Sequence, residues 1–115
     1  MRRGDVYWLD LDMLFPDGKH YQRGFRPCVV VSNDKNNLYC DVVQVVPLTT
    51  KKDYLPMHGR LCFQINNRLN YCLPEQMLTV DKKYLKNYSG TINKDDVKSL
   101  STIHFYIILK HEDCT

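Results

Sequence analysis

The run Cys28-Val29-Val30-Val31 most narrows the folds open to this chain. Pro27 precedes it and Ser32-Asn33-Asp34 follows, so it is too short for a helix and reads as a strand. Successive side chains of a strand point to opposite faces. A strand with no polar residue along it has no face to give to water and must be covered on both sides. A chain of 115 residues has material for one such covered sheet and one core. Residues 1–115 therefore read as a single domain, mainly β.

Neighbouring segments agree. Val6-Tyr7-Trp8-Leu9 is rich in β-formers, and Leu9-Asp10-Leu11-Asp12 alternates as a half-buried strand does. Met13 to Phe25, with Pro16, Asp17, Gly18 and Gly24, reads as a long loop, and long loops in small domains tend to be functional. Ser32-Asn33-Asp34 reads as a cap or turn ahead of a short polar stretch. Val42 to Leu48 is a third strand, with Pro47 near its end. Lys51-Lys52-Asp53 is a loop tip. Arg60 to Ile65 reads as a fourth strand and Tyr71 to Val80 as a fifth, interrupted by Pro74. Lys82 to Leu85 reads as a short helical turn. Asn93, with Asp96 three residues later, is a variant capping box. Val97, Leu100, Ile103, Ile107 and Ile108 then keep helical spacing, which predicts an amphipathic helix over Lys94 to Lys110. The expected α+β architecture is a small β-barrel-like sheet with short helices and this last helix packed on it.

Composition closes off other classes. A chain that is 43% hydrophobic and 25% charged is neither disordered nor fibrous. Sixteen Lys and Arg against thirteen Asp and Glu give a mild surplus of three, which permits a polyanion partner without demanding one. Asp5, Asp10 and Asp12 interrupt any leader-like apolar stretch, and no apolar run approaches a membrane span. The expectation is a soluble cytoplasmic protein with no membrane contact. Cys28, Cys40, Cys62, Cys72 and Cys114 show no C-x-x-C pair, so zinc spacing is absent. Four of them adjoin apolar runs and read as small buried hydrophobes. His20, His58, His104 and His111 are scattered, and there is no phosphate-binding glycine loop or nucleophile elbow. No metal or cofactor is expected.

Two segments bring polar groups to strand ends. In Gly24-Phe25-Arg26-Pro27, Arg26 sits where a long loop meets the buried strand, a rigid place from which to grip phosphate bidentately. The plainer reading pairs it with an acidic side chain. Val46-Pro47-Leu48-Thr49-Thr50 ends a strand and opens onto Lys51-Lys52, so hydroxyls and ammonium groups could meet phosphate or ribose there. The plainer reading is that Thr is common in strands and Lys in loops. Eight Tyr and one Trp could stack on unpaired bases, although a core or rim position for most, Trp8 included, is the simpler assignment.

The order of these segments is itself informative. Arg3-Gly4-Asp5-Val6-Tyr7, Arg26-Pro27-Cys28-Val29-Val30-Val31-Ser32-Asn33-Asp34, Val45-Val46-Pro47-Leu48-Thr49-Thr50, Pro56-x-His58 and Pro74-Glu75-Gln76-x-x-Thr79-Val80-Asp81-Lys82 succeed one another along nearly the whole chain. Together they resemble the MazF/PemK family of toxin endoribonucleases from type II toxin–antitoxin pairs. The resemblance implies an SH3-like barrel of the CcdB/MazF/Kid type, working as a homodimer. It implies metal-independent cleavage of single-stranded RNA at short sequences, with the substrate 2′-hydroxyl as nucleophile. It also implies an antitoxin partner of the MazE kind, whose tail occupies the RNA groove, with operator DNA met only through the antitoxin complex.

By the same resemblance the catalytic arginine falls on Arg26 and the catalytic threonine on Thr49. Many members carry a Glu five residues before the arginine; here that position is Tyr21. A phenol is a poor base near neutrality, and the adjacent His20 titrates in a more useful range, so both stand as candidate general bases. Arg23, Thr50, Lys51, Lys52 and Gln76 are the further RNA-contact candidates. Two alternatives stay open: a gyrase-poisoning toxin on the same barrel, and a catalytically lapsed barrel that only binds RNA or an antitoxin. In a dimer the charge surplus would double to about six per particle.

Overall fold

The computed structural model of the chain describes residues 1–16, 24–50, 62–65, 67–73 and 76–99. The apolar run does lie in a strand covered on both faces. Val29 and Val31 pack with Val6, Val46, Leu48 and Ile92, while Cys28 and Val30 pack on the other side with Leu9, Leu11, Val43 and Val45. Each fully buried Val or Leu contributes about 1.5–3 kcal/mol, so these two clusters are the main hold on the fold.

The strands are β1 (Asp5–Asp10), β2 (Phe25–Val30), β3 (Val42–Thr49), β4 (Cys62–Ile65), β5 (Arg68–Cys72), β6 (Leu78–Asp81) and β7 (Leu85–Thr91). They pair antiparallel in the order β4-β5-β3-β2-β1-β7, with β6 also on β3. β3 carries the turn of the sheet. One edge meets β2 through Val45 to Pro47; the other meets β6 through Val42 to Val45 and then β5 through Leu48 and Thr49. Pro47 falls in the gap between β6 and β5. Its carbonyl accepts from Leu73 N at 3.0 Å on that edge, and its missing N–H faces the same gap. The end strands β4 and β7 come back towards each other, and Gln64, Ile65, Ser89, Gly90 and Thr91 line a hollow between them. The barrel is nearly closed, with an open seam there.

Three departures from the sequence reading have local causes. Leu11 does not continue the first strand: the Asp10 carboxylate accepts from Met13 N, and Leu11–Leu14 forms one helical turn, α1. The stretch Tyr71 to Val80 is two strands, β5 and β6, and β5 begins earlier, at Arg68. β7 was not expected at all, since Asn87 and Gly90 both have positive φ (52° and 122°) and break strand periodicity. Pairing with β1 overrides that local preference. Other expectations hold. Asn33 caps α2 (Asp34–Tyr39), and Lys82–Tyr84 is a 3₁₀ turn capped by Asp81. Asn93 Oδ1 accepts from Asp96 N at 2.9 Å and opens a helix whose described part is residues 94–99. The rest of the predicted Lys94 to Lys110 helix lies outside the described residues.

Two polar arrangements tie the fold together. Ser32 Oγ donates to Asn37 Oδ1 and accepts from Gln44 N, while Asn37 Nδ2 donates to Ser32 O and Asn36 Nδ2 to Val42 O. These bonds pin α2 to β3. At the chain start, Gly4 (φ 95°) lets its N–H reach Val30 O while its carbonyl accepts from Ile92 N. A Cβ there would lie 2.6 Å from Val97 Cγ2. The adjacent buried Asp5 accepts from Arg2 N and from the Thr91 hydroxyl.

Candidate functional site

β1, β2, β3, β5 and β7 all contribute to one hollow of about 190 Å³, lined by Trp8, Arg26, Pro27, Leu48, Thr49, Thr50, Ile65, Arg68, Asn70 and Ser89. The two sequence segments singled out for strand-end chemistry thus meet. Arg26 enters from β2, where it pairs with Leu9, and Thr49 from the end of β3, where it pairs with Tyr71. β2 is rigid because its next residues are buried in both clusters, so Arg26 is held from a fixed base. Thr49 is buried and Thr50 exposed.

The electrostatics are one-sided. Among the described residues, the lining contains two arginines and no acidic residue. Arg26 is half-buried, and its Nε is fully buried with no hydrogen-bond partner. A buried guanidinium N–H with nothing to donate to is costly, and an anion within its reach would relieve that cost. The plainer reading of Arg26, as a partner for an acidic side chain at the strand start, finds no support among the residues lining the hollow.

Three polar lining residues, Arg68, Asn70 and Ser89, are missing from the sequence reading, and Trp8 joins them in the lining. Arg68 and Asn70 lie on β5, two apart and on one face; that strand had been placed to start later. Trp8 is half-buried in the wall of the hollow and outside both core clusters. Its indole Nε1 donates to Ser89 Oγ at 2.8 Å. Ser89 gets there through a bulge: Val6 pairs with Gly90 but Trp8 with Lys86, so two steps on β1 oppose four on β7. The sequence reading puts Trp8 in the core or at its rim, and the rim is where it stands; nothing local marks Ser89.

Of the remaining candidates, Gln76 is described but does not line this hollow; its N–H donates to Leu73 O and its Oε1 is buried without a partner. His20, Tyr21, Arg23, Lys51 and Lys52 lie outside the described residues. Cys28 is buried and Cys72 is buried, as expected, but Cys40 is exposed. Burial pushes the Cys28 thiol up to about 12, so it is no nucleophile at neutral pH. Among the described residues no helix is long and apolar enough to cross a membrane.

Comparison with known proteins extends this picture. Residues 2–103 match the family model of the PemK-like, MazF-like toxin of type II toxin-antitoxin systems. A curated relative, an endoribonuclease MazF of Staphylococcus saprophyticus, is 36% identical over 106 residues, covering 88% of this chain and 85% of its own. Among solved structures, MazF from Deinococcus radiodurans superposes with a TM-score of 0.69 at 17% identity, covering 96% of each chain. An endoribonuclease from a Mycobacterial species, solved with its cognate antitoxin, gives a TM-score of 0.66 at 24% identity, covering 90% of this chain and 89% of that one. The nearly closed, mainly β barrel with short helices is therefore the fold of the MazF structures.

Proposed function

The chain belongs to the PemK/MazF toxin family, and from that premise we propose that it is a metal-independent endoribonuclease that cuts single-stranded RNA at short sequences. One observation carries the reading to particular residues: Arg26, with its buried, unpartnered Nε, shares with Thr49 a hollow whose described lining has no acidic residue. The nucleophile is the substrate's own 2′-hydroxyl. Its oxygen forms a bond to phosphorus as a base removes its proton, and the bond from phosphorus to the 5′-oxygen breaks as that oxygen takes up a proton. The products are a 2′,3′-cyclic phosphate and a 5′-hydroxyl. Arg26 stabilises the charge gathering on the phosphorane and is the candidate donor to the leaving oxygen. Thr49 aligns the phosphate through its hydroxyl. We assign the base to His20 or Tyr21, with His20 titrating closer to neutrality, and further RNA contacts to Arg23, Thr50, Lys51, Lys52 and Gln76.

The same hollow suits an antitoxin of the MazE kind, since an acidic tail laid across Arg26 and Arg68 would be held and would exclude RNA. Operator DNA would then be met only through that complex. A homodimer, which would cover exposed sheet edges, completes the reading. The test is incubation of the purified protein with a long single-stranded RNA in EDTA, with cuts mapped by primer extension. Discrete cuts, lost in Arg26→Ala and Thr49→Ala, are expected. Intact RNA with gyrase–DNA cleavage complexes would mean a gyrase poison instead, and RNA binding without cuts a lapsed enzyme. A single light-scattering mass near that of one chain would overturn the dimer.

A further inference from the structure

The hollow beside Arg26 is larger than a phosphate needs. Its volume of about 190 Å³ exceeds the roughly 150 Å³ of an engineered cavity that takes up benzene, so one flat heterocycle fits. Its wall offers that ring a surface and an edge-reading pair. Trp8 has a single polar hydrogen, already donated to Ser89, so what it presents to a ligand is its ring, fixed in orientation by that bond. Asn70 is nearly buried, and its Nδ2 donates to Arg68 O at 3.0 Å. A carbonyl can only accept, so the amide's orientation is settled, and Oδ1 is the acceptor end of the side chain. The Arg68 side chain, two residues away on the same face of β5, supplies donors beside it. Ile65 and Ser89 also line the seam between β4 and β7, a neighbouring space of about 220 Å³. An extended strand can run on there; a compact mononucleotide has no use for it.

We propose, resting on the ribonuclease reading above, that this hollow is a subsite for one nucleobase flanking the scissile phosphate, with Trp8 as its stacking wall and Asn70 and Arg68 reading its edge. Stacking on an aromatic ring is indifferent to base identity, whereas a fixed acceptor beside a fixed donor is not. Trp8 therefore sets affinity at this position, and Asn70 with Arg68 sets specificity. Ser89 is a positioning residue that holds the indole.

The experiment is cleavage of a randomised single-stranded RNA library, with cut sites sequenced and kinetics measured on the best substrate. The wild type is expected to favour one base at one position flanking the cut. In Asn70→Ala and Arg68→Ala that preference should fall roughly tenfold at that position alone, with preferences elsewhere intact. Trp8→Ala should raise KM roughly tenfold with kcat little changed, and Trp8→Phe should restore most of the loss. If Asn70→Ala fails to fold by circular dichroism, the exposed Arg68→Ala decides the matter alone. A wild type that leaves RNA intact ends the ribonuclease reading and the subsite with it. A wild type that cuts, with variants that keep every base preference, overturns the subsite and leaves the ribonuclease standing.

Discussion

Two hollows of this barrel carry polar side chains and open to the outside, yet their polar groups are differently employed. One, of about 440 Å³, lies beside α2 and is lined by Ser32, Asn33, Asn36 and Gln44 among others. The other, less than half that volume, holds Arg26, Thr49, Arg68 and Asn70. In the larger one the side chains of Ser32, Asn33 and Asn36 are engaged with α2 and β3. Arg3 on its rim is engaged within the chain as well, although its Nε is buried without a hydrogen bond. In the smaller one the Arg26 Nε is likewise buried without a hydrogen bond, but it stands beside Thr49, Arg68 and Asn70 and not beside a network that pins a helix to a strand. Volume is thus a poor guide to a site. A network that pins α2 to β3 holds the fold, whereas two arginines converging on one hollow suit an anion.

The sharpest way to break this contrast is to remove Arg26. Arg26→Ala should lower cleavage about 10³-fold, the loss expected for a preorganised donor to transition-state charge. The midpoint of thermal unfolding should hardly move, because the guanidinium leaves no partner orphaned within the lining. A large drop in stability would mean that Arg26 holds the fold after all.

The mirror experiments strike the fold and spare the chemistry. Gly4→Ala puts a Cβ 2.6 Å from Val97 Cγ2 on a backbone at φ 95°. Overpacking and left-handed strain together should cost about 3 kcal/mol, read as a shift of the denaturant midpoint. Asn37→Ala removes the two bonds that Asn37, 2% exposed, makes to the Ser32 hydroxyl and the Ser32 carbonyl. Leaving that carbonyl unsatisfied should cost about 2 kcal/mol, a fall of roughly 10 °C in midpoint. In both variants, turnover measured well below the midpoint should stay near wild type. A loss of turnover without a loss of stability would move the α2 side into the machinery.

The same contrast explains what was legible in the sequence. Cys28 to Val31 announced a doubly covered strand because four neighbouring side chains leave no solvent face. Arg26 and Thr49 were visible because each sits one step from a punctuated strand end. Asp10, by contrast, looked like one more polar residue in an alternating strand until its carboxylate was seen to cap α1. β7 was hidden because its strand character comes from pairing with β1 across eighty residues and not from Leu85-Lys86-Asn87-Tyr88-Ser89-Gly90-Thr91 itself. Arg68 and Asn70 were missed for a related reason: in Asn67-Arg68-Leu69-Asn70 the polar residues face a hollow made by other strands, so no local pattern marks them.

The smallest effect expected near neutrality, and the one that separates core from site most cleanly, comes from Cys28. Its Sγ lies 3.7 Å from Arg26 O, yet its side chain belongs to the core cluster with Leu9 and Val30. The folded thiol is pushed up to about 12 from 9.0 by burial. The unfolded chain therefore releases this proton near pH 9 while the native chain keeps it. The native state then binds more protons, so stability is complete below pH 9 and falls as pH rises from there towards 12. From pH 8 to 10 this one group should remove about 1.4 kcal/mol, before Tyr7, also shifted up, adds its own loss of the same sign. Cys28→Ala, although weaker at pH 8 for lack of packing, should lose less than the wild type over that interval. Parallel denaturant curves for the two proteins would show that the thiol's neighbourhood is already wet, and with it the rigid base on which Arg26 stands.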